Sequence, residues 1–209
     1  MTPRPGPHKK FESIPLAVIL RDILHVAATG SEAEKTIRAR KIFVDGKARK
    51  DPHYPAGLFD VISFPGQKKN YRIVPSAKGL QVVEISESEA KKKIAKIVNK
   101  TVIKKGKLQL NLHDGKNLLA DGDYKTGDSL LLQLPELKII EHLKLEKGNL
   151  GIVSKGVSSG KVGTIKEIIE AKASGKKTIS VDLEGTKEEV LADRFFVIGK
   201  ESPAIKLGE

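Results

Sequence analysis

The sequence predicts an α+β protein of three small modules behind a basic arm, and three observations carry that expectation. Pro65-Gly66-Gln67-Lys68-Lys69 breaks the chain, and its texture changes again near Glu146-Lys147-Gly148. Apolar spacing is helical before the first break and mostly alternating after it. The charge balance also changes from segment to segment: residues 1–65 carry a surplus of +4, residues 66–145 of +7 and residues 146–209 of +1. The expected divisions are an arm at 1–14, a module of two helices and a small sheet at 15–65, a mainly-β module with one helix at 66–145, and an all-β module at 146–209. Units of about sixty residues bury only ~60% of their unfolded surface, so they are expected to lean on one another or on a partner.

Met1 to Lys10 contains Pro3, Pro5, Gly6 and Pro7 and forms no regular element; it is expected to be extended or disordered until it touches something. Arg4, His8, Lys9 and Lys10 make it a candidate arm for a polyanion, against the plainer reading of a loose end without a role. Leu16, Ile19, Leu20, Ile23, Leu24 and Ala27 then follow one helical face, with Pro15 where a first turn tolerates it. A Ser31…Glu34 capping box starts a second helix, with Ala33 and Ile37 as its apolar side. Arg38, Arg40 and Lys41 crowd its end. After a strand at Ile42 to Val44, a tight Asp45-Gly46 turn presents Lys47, Arg49 and Lys50. Six cations on a helix end and an adjacent hairpin can grip several phosphates at once; a packed helix pair with a solvated outer face is the competing reading. Order and spacing favour the first. Two helices, a cationic helix end, Val-Asp-Gly-Lys at 44–47 and Tyr-Pro-Ala-Gly-Leu-Phe-Asp-Val-Ile at 54–62 resemble the alpha-L motif, which in many RNA-binding proteins contacts structured RNA through the second helix and its following hairpin.

The central module is expected to open with strands at Tyr71 to Val74 and Leu80 to Ile85. A capping box at Ser86…Glu89 then predicts a helix with Ala90, Ile94 and Ile97 on one side. Lys91, Lys92, Lys93 and Lys96 fall on that helix, and Lys100, Lys104, Lys105 and Lys107 on the strand-and-turn texture after it, without a single acid among them. Such a run repels itself unless an anion neutralises it, which favours phosphate contact over a merely solvated face. Leu108, Leu110 and Leu112 alternate, His113-Asp114-Gly115 turns, and Gly127-Asp128 leads into Leu130 to Leu134, together a small mixed or barrel-like sheet. Asp121-Gly122-Asp123 does not fit a calcium loop, because Thr126 stands where glycine is required and Leu132 where the bidentate glutamate belongs.

The last module begins with a strand, a glycine-rich loop at 154–160 and a second strand, with further strands at Thr178 to Leu183, Glu189 to Leu191 and Phe195 to Ile198 and a hairpin at Glu184-Gly185. The loop is no phosphate-binding loop of an enzyme: Gly156…Gly160-Lys161 has the wrong spacing, and Val162 follows where Ser or Thr is needed. The pattern resembles the KOW motif, an SH3-like barrel element of ribosomal and transcription-elongation proteins. Lys155 and Lys161 are its candidate RNA contacts.

With 38 Lys and Arg against 26 Asp and Glu the chain carries a formal net charge of +12, so a polyanion is the expected partner. No apolar run reaches the ~18 residues of a membrane span, and no apolar signal core opens the chain, so a soluble, cytoplasmic protein is expected, with no membrane partner and no small-molecule substrate. Without cysteine there is no thiolate zinc site or cysteine nucleophile, and the five histidines lack metal-ligand spacing. No metal or cofactor is expected.

The order of modules, together with Pro-Arg-Pro-Gly-Pro-His at 3–8, Phe-Asp-Val-Ile at 59–62, His113-Asp114, Thr126-Gly127-Asp128, Gly148-Asn149-Leu150 and Phe-Val-Ile-Gly-Lys at 196–200, resembles the archaeal and eukaryotic type of small-subunit ribosomal protein four. These motifs span nearly the whole chain. Family members usually carry a further basic extension before Pro-Arg-Pro-Gly-Pro-His, and here Met1 falls almost on it; the short, cysteine-free chain leans archaeal. The resemblance implies a non-catalytic constituent of the small ribosomal subunit whose partners are ribosomal RNA and neighbouring ribosomal proteins. An RNA-modifying enzyme with an alpha-L targeting module, or a KOW-type transcription-elongation factor, are the alternatives. The first lacks a recognisable catalytic constellation after Phe64, and the second leaves the alpha-L motif unexplained.

Overall fold

The computed structural model describes residues 1–103, 106–169, 177–183 and 185–207. The first region runs β1 (Ser13–Pro15), α1 (Leu16–Val18), a wider turn of π type (Ile19–Ile23), α2 (Gly30–Arg38), β2 (Phe43–Val44), β3 (Lys47–Ala48), β4 (Pro55–Gly57), β5 (Val61–Phe64), β6 (Lys69–Ser76) and β7 (Gly79–Ile85). Leu16, Ile19 and Leu20 are fully buried, as their helical spacing requires, but the helix stops short of Ala27, which packs from the connecting loop. The second helix is capped two residues earlier than expected. Thr29 Oγ1 accepts from the Glu32 amide at 3.2 Å, and the Glu32 carboxylate accepts from the Ala28 amide at 2.8 Å, so the reciprocal pair is Thr29…Glu32 rather than Ser31…Glu34.

Strands β3, β2, β5, β6 and β7 form one antiparallel sheet in that order. The break at Pro65-Gly66 is a hairpin turn between β5 and β6, so the strands expected to open the central module hydrogen-bond into the first sheet. Helices α1 and α2 cover it, closing a core of Leu16, Ile19, Ile37, Ile42, Ile62 and Ile73.

Next come α3 (Glu87–Ala90), β8 (Lys92–Val102), β9 (Leu108–Leu112), β10 (Asn117–Ala120), β11 (Ser129–Gln133) and β12 (Lys138–Leu143), with strand order β10-β9-β8-β11-β12. The capping box at Ser86 is real, since Ser86 Oγ accepts from the Glu89 amide at 3.4 Å, but the helix lasts a single turn. The expected continuation through Ile94 and Ile97 is a strand. The β-branched Ile94, Ile97, Val98, Thr101 and Val102 suit a pleated surface, and β9 and β11 supply partners on both sides.

The last sheet is β13 (Leu150–Val153), β14 (Val162–Ile169), β15 (Thr178–Leu183), β16 (Thr186–Leu191) and β17 (Phe195–Gly199), in the order β16-β15-β14-β13-β17. Among the described residues its edge strands do not pair with each other, so hydrogen bonds leave the expected barrel open. Of the hairpin expected at Glu184-Gly185, Glu184 lies outside the described residues.

The sheets share their cores. Leu58 and Phe59 from the first region and Ile94, Leu131 and Leu143 from the central sheet pack in one cluster with Ile152, Val181, Phe195 and Phe196 of the last. Phe59 and Phe196 meet edge to face at 5.3 Å between ring centroids. Arg72, fully buried, ties three segments together: its guanidinium donates to the Glu89 carboxylate at 3.0 Å and to the carbonyls of Glu89, Lys92 and Lys206 at 2.8–2.9 Å.

Candidate nucleic-acid interface

The cationic surface begins at the carboxyl end of α2. Ala33 and Ile37 face the core, which leaves Lys35 and Arg38 on the outer side; Arg38 lies 3.6 Å from Glu34, one helical turn back, in an exposed pair that contributes little. Arg40 takes the left-handed conformation that ends the helix, at φ +58°, and donates its amide to the Ile37 carbonyl at 2.9 Å. Arg40 and Lys41 are exposed.

In the turn between β2 and β3, Asp45 and Gly46 have φ of +50° and +73°, as a tight hairpin with right-handed twist demands. Gly46 has a second reason to be glycine: a Cβ there would stand 2.6 Å from Cβ of Pro135. The hairpin therefore packs against the central sheet while Lys47 and Lys50 remain exposed. Arg49 is half-buried, its guanidinium 4.3 Å from the centroid of the Tyr54 ring, which makes it a support for the surface more than a free contact.

The arm has no regular element before Lys10 and is held against this surface, so the loose end does not describe it and His8 is withdrawn from any partner. The Arg4 amide donates to the His53 carbonyl at 3.0 Å, the His53 ring to the Thr2 carbonyl at 2.8 Å, and His8, buried, to the Asp60 carboxylate at 3.0 Å. Gly57 makes the last contact possible, since a Cβ there would lie 2.4 Å from the His8 ring. A cleft of about 270 Å³ results, lined by Arg4, Glu34, Arg38, Lys50, Asp51 and His53. Arg4 lies 3.5 Å from Asp51 across an exposed gap.

The central lysines divide sharply. Lys93 is no RNA contact: it is fully buried, with Nζ 2.6 Å from Asp45, 2.6 Å from Asp60 and 2.8 Å from Asp114. Burial alone would strip its proton, but the three carboxylates outweigh it and raise its pKa well above the ordinary value. Burial would likewise raise Asp60 and Asp114, and the Lys93 charge instead holds both far below the usual carboxylate range. Lys116 closes the cluster from the rim, on Asp45 and Asp114. The three aspartates are close enough to hold a metal ion, and the Lys93 ammonium stands in their midst.

Lys96 is also withdrawn from solvent. Its ammonium donates to the carbonyls of Ala192 and Phe195, and burial pushes its pKa down to about 8. Lys92 is half-buried. Lys91, Lys100 and Lys107 are exposed, with Lys100 donating to the Tyr124 carbonyl at 2.7 Å; Lys104 and Lys105 lie outside the described residues. Sequence reasoning failed here because it took the run for a helix face. On a central strand, successive lysines point to opposite faces and both faces are covered. Lys9, Lys10, Lys155 and Lys161 are exposed, Lys155 paired with Glu12. Lys35 was missed, although it lies three residues before Arg38 on the same helix face.

A cationic helix end and hairpin on a helix-backed sheet, with two further sheets behind it, defines a basic protein carrying an S4 domain, and the model of that domain matches residues 14–62. The model described as ribosomal family S4e matches residues 67–139. The chain is 43% identical to the small ribosomal subunit protein eS4 of Methanocella arvoryzae over 98% of its own length and 87% of the relative's, and 44% identical to that of Archaeoglobus fulgidus over 99% and 88%. The crystal structure of the 30S ribosomal protein S4e from Thermoplasma acidophilum superposes with a TM-score of 0.79 at 29% identity, covering 90% of this chain and 96% of that one. The chain belongs to the eS4 family, and the resemblance drawn from its motifs is borne out.

Proposed function

We propose that this protein is a structural constituent of the small ribosomal subunit and that it holds ribosomal RNA on the surface formed by the end of α2, the β2–β3 hairpin and the arm. One observation carries the reading: Arg4, Arg38 and Lys50 line one cleft, and Arg40, Lys41 and Lys47 are exposed on the same helix end and hairpin, on backbone that capping, hairpin and buried contacts hold in place. Cations held this way lose little entropy when phosphates arrive. Lys9, Lys10, Lys91, Lys100 and Lys107 extend the basic surface, and Lys155 and Lys161 on the KOW-like loop make secondary contacts. The role is architectural, without a chemical step on RNA, and neighbouring ribosomal proteins are its other partners in the ribosome.

The test is binding of the full chain to Archaeoglobus fulgidus small-subunit ribosomal RNA as a function of salt. Log K is expected to fall by roughly 0.7 to 0.9 per log unit of salt for each phosphate contacted. Affinity that stays flat between low and physiological salt refutes the reading, as does a new modified nucleoside or specific strand scission after incubation.

A further inference from the structure

Phe11 and Val157 are 96% and 101% exposed, the most exposed large apolar side chains among the described residues, and they stand on adjoining turns. Glu12, next to Phe11, pairs with Lys155 at 2.5 Å, and Lys155 is two residues from Val157. Neither turn is loose. The amide of Glu12 and the hydroxyl of Ser13 both donate to the Lys9 carbonyl, at 2.9 and 3.0 Å, closing the single turn Lys10–Glu12 immediately before β1. The β13–β14 loop is tied across its base by the Gly160 amide on the Val153 carbonyl at 2.8 Å, within itself by the Ser159 amide on the Gly156 carbonyl at 3.2 Å, and to the last sheet by the Ser154 hydroxyl on the Arg194 carbonyl at 2.8 Å. The two apolar tips are thus fixed in water by backbone ordered for another reason.

Their surroundings say what covers them. Lys9 and Lys10 are exposed on one side, with Lys10 Nζ 5.8 Å from the Phe11 ring centroid; Lys161 and Arg194 are exposed on the other. Of the nearby carboxylates, Glu12 is taken up by Lys155 and Glu188 by the Ser158 hydroxyl, while Asp193 stands beside Arg194. Two apolar side chains are far too little surface for a stable protein interface. A flat ring flanked by cations is what an unpaired nucleotide needs, since every base has a π-face and a phosphate on either side.

We propose that Phe11 is a stacking platform for an unpaired base of the small-subunit ribosomal RNA, with Val157 exposed on the neighbouring loop and the flanking lysines on the adjoining phosphates. This rests on the RNA-binding reading above and adds to it a second site where the arm meets the last sheet.

The chain has no tryptophan, so Phe11→Trp installs a single indole, at the site. With the full-length protein and Archaeoglobus fulgidus small-subunit ribosomal RNA as the probe, this variant is expected to bind as the parent does and to lose indole emission on binding. Phe11→Ala is expected to weaken binding about fivefold or more while leaving the salt slope unchanged, because a stack is lost and no phosphate contact is. Phe11 lies outside the core, so neither change threatens the fold. If both variants match the parent in affinity and the indole emission does not respond to RNA, stacking is refuted while the RNA-binding reading stands. Emission that shifts only when other small-subunit proteins are added also refutes it, in favour of a protein neighbour. If the parent itself fails to bind the RNA, both readings fall.

Discussion

The cations of 38–50 and those of 91–96 look alike in the sequence and do opposite things in the fold. Arg38, Arg40, Lys41, Lys47 and Lys50 project from a helix end and a hairpin into solvent, whereas Lys93 and Lys96 point from a central strand into the joints between sheets. The first group has few local acids and is free to meet phosphate. Lys93 has Asp45, Asp60 and Asp114, and two of these belong to the first region, so one ammonium joins the cationic hairpin to the central sheet. A positive charge in this basic protein is therefore a rivet where the fold buries it against carboxylates, as at Lys93, or against carbonyls, as at Lys96, and is left for a partner where it does neither. Asp45 connects the two groups, because its backbone makes the turn that presents Lys47 while its side chain holds Lys93.

The largest test of this contrast is Lys93→Met. Removing the ammonium leaves three buried carboxylates with only Lys116, at the rim, against two of them, and breaking such a cluster costs about 3–5 kcal/mol. Urea unfolding should show that loss, and the fraction that remains folded should bind RNA with the parental salt slope. Unchanged stability together with a shallower slope would mean that Lys93 serves as a phosphate ligand after all.

Acid should attack the same joint. His113 sits beside the cluster: its Nδ1 accepts from the Lys96 amide at 3.2 Å, its Nε2 donates to the Leu58 carbonyl at 3.2 Å, and burial pushes its pKa down to about 4. The unfolded chain takes up the proton near 6.5 and the folded one only near 4, so the stability that neutral His113 contributes is present above 6.5 and lost as pH falls towards 4. At 1.36 kcal/mol per unit this amounts to about 3 kcal/mol. Asp60 and Asp114, both depressed, add a further loss below about 4, where the unfolded carboxylates protonate first. Urea midpoints measured across this range should fall in two stages, and a flat profile between 6.5 and 4 would remove His113 from the account.

Local signals were legible where the chain acts locally. Pro15 and the helical spacing placed α1, Asp45-Gly46 placed the hairpin, and the alternation of Leu108, Leu110 and Leu112 placed β9. The capping box at Ser86 was equally visible and misled, because one turn of helix satisfies the motif and the residues beyond it answer to β9 and β11, which are distant in sequence. The same distance hid the role of Lys93: its three partners lie 21 to 48 residues away, and nothing in the spacing of Asp45, Asp60 and Asp114 brings them together before the sheets do. His8 was hidden for that reason too, since the arm is ordered by a carboxylate 52 residues further on.

Within the exposed group the expectation is graded. Arg40→Ala with Lys47→Ala should weaken ribosomal RNA binding and lower the salt slope by up to ~1 per contact removed, while Lys155→Ala with Lys161→Ala has a smaller effect. The structure supplies a reason for the difference: part of the Lys155 charge is already taken up by Glu12, whereas Arg40 and Lys47 project from a pinned helix end and hairpin. Circular dichroism checks that both double variants fold. Equal losses, or a larger loss from the loop pair, would place the main grip at the other end of the chain.

The smallest effect separates stability from function at one residue. Arg40 occupies the left-handed position at the end of α2, where glycine is the usual occupant and any other residue carries a strain of about 1 kcal/mol. Arg40→Gly relieves that strain but also loosens the unfolded chain, so the two contributions partly cancel and stability should change by no more than about 1 kcal/mol, with a small gain the expected sign. RNA affinity should nevertheless drop, with a salt slope lower by about 0.7 to 0.9, because the guanidinium is gone from the centre of the cationic surface. Thermal unfolding of the free protein and salt-dependent binding measure the two quantities separately. A variant that is less stable and binds RNA as before would make Arg40 a structural residue, and would move the boundary between rivet and ligand into the group that the fold leaves exposed.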